Sequence, residues 1–192
     1  MEKHEAKITL YNLLAAPLYG PGSPTWPAVR SGEWAAALDG VLRSLGLNQA
    51  TPQPGDDVAE AFHRTFVEPG HPLIPVESVH KVWTEASGAD LLCSHEKGWL
   101  GGDSARHMAW LYEQTGIAIP PEMVGTPDHL ALELEFMGLL AEMGLPEQQA
   151  LFRRQHLDWV ADLVAQADQP AISPFYRDLL RLIAAVVAQA DT

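Results

Sequence analysis

A chain of 192 residues, 47% hydrophobic and 19% charged, has material for one buried core and is within the size a single core serves. Its formal net charge of −13 disfavours nucleic acid and anionic lipid as partners and favours a cationic one. The single cysteine, Cys93, excludes an internal disulfide. The charged start MEKHEAK does not resemble a signal peptide, and no run of about 18 apolar residues could cross a bilayer, so a soluble cytoplasmic protein is expected.

Helical spacing recurs along the chain and strand alternation does not, which predicts an all-α fold. The first helix is expected from Lys3 to Pro17, with Leu10, Leu13, Leu14 and Leu18 on one side, before the turn chemistry of PLYGPGSPTWP. A second is expected from Ser31, as N-cap, to Leu45 before Gly46. A third opens at Asp56 and spaces Val58, Ala59, Phe62 and Phe66 helically. From Glu68 to Gly102 the pattern breaks into a long segment with three prolines and five glycines. Its apolar residues Leu73, Ile74, Val76, Val79, Val82 and Trp83 predict a connector that lies on a surface or lines a groove.

Helical spacing resumes at Asp103, an expected N-cap, and ends at Gly116. In TPDHLALELEFMG, Thr126 reads as N-cap and Pro127 as the first helical residue, with a stop near Gly144. Pro146 to Ala167 reads as one helix with Phe152, His156, Trp159, Val160 and Leu163 on a shared face, and Ser173 and Pro174 open the last. The sum is one globular helical domain over residues 1–192, of about seven to eight helices. Its long Pro/Gly-containing loop, 68–102, lies between the N-terminal and C-terminal helical parts.

Wound at about 100° per residue, the helix after Pro127 places Glu133 in the middle of its apolar arc, with His129 one turn before it. Asp128, Ala131, Glu135, Gly138 and Glu142 form the remaining, wet stripe. A buried carboxylate must be paired or protonated, so Glu133 is assigned to His129 or to an inward-facing arginine. Asp128, in the first turn, is expected to be available to an incoming arginine or lysine. The eight histidines raise a metal question. However, no CxxC or HExxH motif occurs, and neither a glycine-rich phosphate loop nor a GxSxG elbow is present. No metal or other cofactor is called for, and His156 reads as a hydrogen-bonded core residue.

FVEPGHPLIPVESV (66–79), GDSA (102–105), PDH (127–129) followed by ELEF, HLDWV (156–160) and SPFYRDLLRL (173–182) stand in one order. On these motifs the chain, from about Ala59 onward, resembles the TorD/DmsD/NarJ family of redox-enzyme maturation chaperones. The resemblance implies an all-α cytoplasmic chaperone that is not an enzyme. It would hold the apo-form of a molybdopterin oxidoreductase catalytic subunit by its twin-arginine leader, or in the NarJ branch by an N-terminal peptide of the subunit, until the cofactor is inserted. The net charge and the lack of a long apolar run predict no nucleic acid and no stable membrane insertion, and the resemblance is compatible with a monomer or a homodimer.

The family's loop and Asp-His motif fall here on Glu68, Pro69, Pro75, Glu77, Ser78, Val79, Asp128 and His129. Where the family commonly has an aromatic after SV, this chain has His80, and its Thr84–Leu100 stretch is longer than usual. The peptide-binding set expected is therefore Phe66, Glu68, Pro75, Glu77, Ser78, Val79, His80, Trp83, Asp128, His129 and Glu133. In it Asp128, then Glu77, would receive leader arginines, and His129 would fix the helix mouth or bond the peptide backbone. Phe66, Val79 and Trp83 would meet the apolar part. The alternatives are a small metal- or thiol-dependent enzyme using Cys93 and His95 with His129 or His156, and an inert helical interaction module.

Overall fold

The computed structural model describes residues 2–55, 57–69, 73–88 and 93–189. Asp56, the expected opening of the third helix, and Gly70–Pro72 of the quoted loop lie outside them. The fold is all-helical, with ten α-helices among the described residues. They are α1 (Lys3–Ala15), α2 (Trp26–Ser31), α3 (Glu33–Ser44), α4 (Val58–Phe62), α5 (Glu77–His80), α6 (Asp103–Thr115), α7 (Leu130–Glu142), α8 (Pro146–His156), α9 (Val160–Ala167) and α10 (Pro174–Ala188).

The core is built on α7, which packs between α1 and α8, while α1 also meets α3 and α10 meets α9 and α4. Leu10, Leu14, Leu38, Leu42, Leu130, Leu134, Met137, Leu163, Leu179 and Ile183 are buried in one continuous cluster. Each fully buried side chain of this kind contributes roughly 1.5–3 kcal/mol. The wet stripe expected on α7 shrinks to Glu135 and Glu142, because Ala131, Gly138 and Asp128 are buried. At Gly138 the reason is visible: a Cβ there would meet the Asn12 side chain at 3.2 Å and Tyr11 at 3.5 Å. Its lack of a side chain lets α1 approach, so a small residue on the polar side of the wheel marks a helix contact and not solvent.

The expected count of seven to eight helices is exceeded because α2 and α5 form in segments that read as turn and connector, and because one expected helix is divided into α8 and α9. The second helix is preceded by α2, drawn from what reads as turn sequence, and Gly32 in the left-handed region (φ 83°) joins α2 to α3. Ser31 therefore ends one helix and Gly32 takes the N-cap position of the next, while the Ser31 hydroxyl accepts the Glu33 N–H at 3.4 Å. α4 passes into a π-helical turn, His63–Val67, which carries Phe66 against Phe62 and Tyr176. The helix expected from Pro146 to Ala167 is interrupted at Leu157–Trp159, where the Trp159 indole N–H donates to the His156 carbonyl at 2.7 Å and satisfies an end group of α8.

Candidate functional site

The central connector is not a free loop. Its turn α5 is tied to the residues before α7 by backbone bonds from Glu77 N–H to the Asp128 carbonyl (2.9 Å) and from Leu130 N–H to the Pro75 carbonyl (2.9 Å). Asp128 adds its carboxylate, accepting the Ser78 N–H at 2.7 Å. It thereby supplies the first turn of α5 with two acceptors from a distant segment. The carboxylate is fully buried, and burial raises its pKa against the opposing effect of Ser78.

The expected roles at this helix mouth change accordingly. Asp128 is not in the first turn of α7 and offers no surface carboxylate to an arginine. Thr126 and Pro127 do not start α7 either. His129 is the N-cap, its Nδ1 accepting the Ala131 N–H at 3.2 Å. That bond requires a neutral ring, and burial pushes the His129 pKa down to about 4. At α6, similarly, Gly102 is the N-cap and Asp103 lies in the first turn, where its carboxylate accepts from the Thr84 hydroxyl (2.7 Å) and the Glu85 N–H (3.1 Å).

Glu133 is fully buried, as the helical wheel requires, but its partners are neither His129 nor an arginine. It accepts the Trp159 indole N–H at 3.2 Å and hydrogen-bonds Glu77. Glu77, also fully buried, receives His156 Nδ1–H at 2.8 Å and the Lys81 ammonium at 2.7 Å. His156 Nε2 meets His107 Nδ1 at 2.8 Å, and His107 is exposed. A polar chain therefore runs from α7 through α5 and α8 to the surface of α6.

Two carboxylates in contact do not both ionise readily. Burial, and then the Glu77 charge, hold the Glu133 pKa well above its usual range. For Glu77 burial acts upward too, but His156, Glu133 and Lys81 together bring it down. Glu133 thus carries the proton and donates it to the Glu77 carboxylate. Glu77, Glu133 and His156 also present ligand atoms within 4.8 Å of one another, the spacing of a metal site. The Lys81 ammonium, 2.7 Å from Glu77, supplies a positive charge at the same group. Among the described residues neither Cys93 nor His95 joins a metal-ligating cluster.

Beside this chain opens a cavity of about 660 Å³ between α5, α6 and the α8–α9 turn. Glu77, Glu85, Asp103, Asp158 and Asp162 stand on its walls against Lys81, Lys97 and Arg154, with His107, His156 and Trp159 among the remaining lining residues. The break after α8 matters here. In one continuous helix His156 and Asp158 would point about 200° apart, whereas the turn lets both face the same space. Exposed Trp110 stacks on His107 (5.8 Å, 18°) at the edge.

Of the residues expected to bind peptide, Glu77 and His80 line this cavity, and Val79 joins His80 in a neighbouring one of about 540 Å³. His80 is buried and stacks on Trp159 at 4.8 Å, so an aromatic contact is made at the position where the loop pattern changes. Pro75, Ser78, Asp128, His129 and Glu133 form the frame behind it. Trp83 is partly buried, with its indole on the Leu100 carbonyl (3.2 Å) and Arg106 over its ring (5.5 Å). Phe66 packs on the α4–α10 aromatics, and Glu68 is exposed but does not line the cavity. Sequence reasoning missed Lys81, His107, Asp158 and Asp162. The spacing His156, Asp158, Trp159, Asp162 was the available signal, and it is intelligible only once the helix is known to break there.

Residues 29–177 match the family model for the nitrate reductase delta subunit. The chain belongs to this family. It is a family of molybdoenzyme maturation chaperones, assembly factors that act with the catalytic subunits of those enzymes. The resemblance to the TorD/DmsD/NarJ chaperones is thus shown over most of the chain. No curated protein matches it. Among the described residues no helix is long and apolar enough to cross a membrane.

Proposed function

We propose that this protein is a non-enzymatic, cytoplasmic chaperone that binds the twin-arginine leader of a molybdopterin oxidoreductase precursor and holds the apo-subunit until its cofactor is inserted. In this reading residues 1–192 act as one chaperone domain, and segment 68–102 supplies a wall of the binding site. The observation that carries it is the acid-walled cavity beside α5, in which carboxylates adjoin aromatic surface. A twin-arginine leader is a basic segment followed by an apolar one, and its complement is a groove with carboxylates at one end and apolar surface beyond. Asp158 and Asp162 at the opening, with Glu77 behind them, take the arginines, and Trp110, stacked on His107, meets the apolar part. Asp128, His129 and Glu133 hold this wall in place without touching the guest.

Isothermal titration of the full chain with synthetic leaders of molybdopterin oxidoreductases tests the proposal. At least one leader binds at micromolar concentration, and Asp158→Asn weakens it about fivefold, the loss of one charge-assisted contact near the surface. Absence of heat from every leader at about 50 µM protein, within reach of such affinities, would sink the reading.

A further inference from the structure

Lys81 sits one residue beyond α5, on extended backbone (φ −109°, ψ 165°). Its ammonium contacts Glu77 Oε1 at 2.7 Å, Asp158 Oδ1 at 2.6 Å and the Gln155 carbonyl at 2.6 Å. Three oxygens thus converge on one cation. The set is graded from inside to outside: the Glu77 side chain is fully buried, that of Lys81 is 24% exposed and that of Asp158 is 54% exposed. It opens on the cavity where the leader is proposed to bind. Glu77 Oε1 lies off hydrogen-bond alignment with the ammonium, so a buried carboxylate oxygen faces the cup without a well-directed N–H. A second pair, Lys97 and Asp162 at 3.4 Å, stands on the same cavity and is exposed on both sides.

We infer that Glu77, Asp158 and the Gln155 carbonyl form a receptor for the cationic group of a guest arginine, and that Lys81 is its internal occupant in the free protein. This deepens the proposed function and rests on it for the identity of the guest. Exchange of one cation for another leaves the buried Glu77 compensated throughout, which removes the main cost of opening such a site. The exchange favours arginine. An ammonium is a point charge on a flexible stem that hydrates strongly once released, whereas a guanidinium presents five donors in a plane and can engage two carboxylates at once. The lysine therefore screens guests: a lone weak cation does not displace it, and a basic pair, reaching Asp158 and Asp162 together, does.

Three proteins, wild type, Lys81→Met and Lys81→Arg, are titrated with arginine amide and with a synthetic twin-arginine leader, heat being recorded for the leader and the amide signals of Gln155 and Asp158 for both. If Lys81 fills the receptor about nine-tenths of the time, its removal tightens leader binding about tenfold. Arginine amide then shifts the Gln155 and Asp158 signals in Lys81→Met at about tenfold lower concentration than in wild type. Lys81→Arg, which fills the cup with a better-matched group and keeps its charge, binds the leader more weakly than wild type. It decides the question if Lys81→Met does not fold. Leader affinity unchanged or weakened in Lys81→Met, or equal in Lys81→Arg and wild type, overturns the receptor while leaving the chaperone proposal intact. Arginine amide binding to Lys81→Met with no leader bound by any of the three proteins supports the receptor and removes the leader as its guest.

Discussion

At residue scale the informative group is the carboxyl pair of Glu133 and Glu77, which the fold buries together and serves with one indole, one imidazole and one ammonium. Because the folded protein keeps a proton on Glu133 that the unfolded chain loses above about 4.5, the unfolded state is favoured progressively as pH rises from there toward the folded value. Glu133→Gln replaces the acid by a neutral group that can still donate to Glu77 and accept from Trp159. The variant therefore loses the part of the alkaline decline that comes from this residue. Its melting temperature varies less than that of wild type between about pH 5 and 8, and parallel curves for the two proteins would refute the assignment. Glu133→Leu, by contrast, deprives the buried Glu77 carboxylate of its donor and costs about 1–3 kcal/mol at neutral pH.

At the scale of elements, two helix starts are capped by adjacent residues that serve different helices. Asp128 serves α5 across the connector, and His129 serves α7, its own helix. A cap of this kind is worth about 1 kcal/mol. Both His129→Ala and Asp128→Ala are expected to lower stability by about that amount or more, the latter because it strips the Ser78 N–H of its buried acceptor. His129→Asn, with a side-chain oxygen in reach of the Ala131 N–H, keeps most of it. The histidine adds a pH signature of opposite sign to that of Glu133. Its folded pKa of about 4 lies below the ordinary 6.5, so its contribution is complete above 6.5 and is lost as pH falls toward 4. Thermal melts of His129→Asn should therefore fall less than those of wild type on acidification from pH 7 to pH 5, values that span this window.

At the scale of the whole molecule the chain carries a net charge of −13, and the cavity walls share its sign, with five acids, Asp158 and Asp162 exposed among them, against Lys81, Lys97 and Arg154. A basic guest is drawn to such a surface before it makes specific contacts. Stopped-flow association of a twin-arginine leader is expected to slow about tenfold between low and high salt with little change in dissociation rate. A salt effect confined to dissociation would place the electrostatics in the closed contact and not in the approach.

Helical periodicity, turn residues and composition are local properties, and they sufficed for the all-α class, the long α1, α6, α7 and α10, and the burial of Glu133 in the apolar arc of its helix. The ordered motifs also pointed to the chaperone family. What a residue does once buried is decided by segments far away in the chain. Nothing local to PDH says that Asp128 accepts from Ser78, 50 positions earlier, or that Gly138 is a contact for α1 and not a wet position. The break after His156 likewise follows from Trp159 turning back on its own helix, and it brings His156, Asp158 and Trp159 to one cavity with Lys81. Hydrogen-bond partners and cavity walls are pairwise facts between distant residues, and a one-dimensional pattern does not carry them.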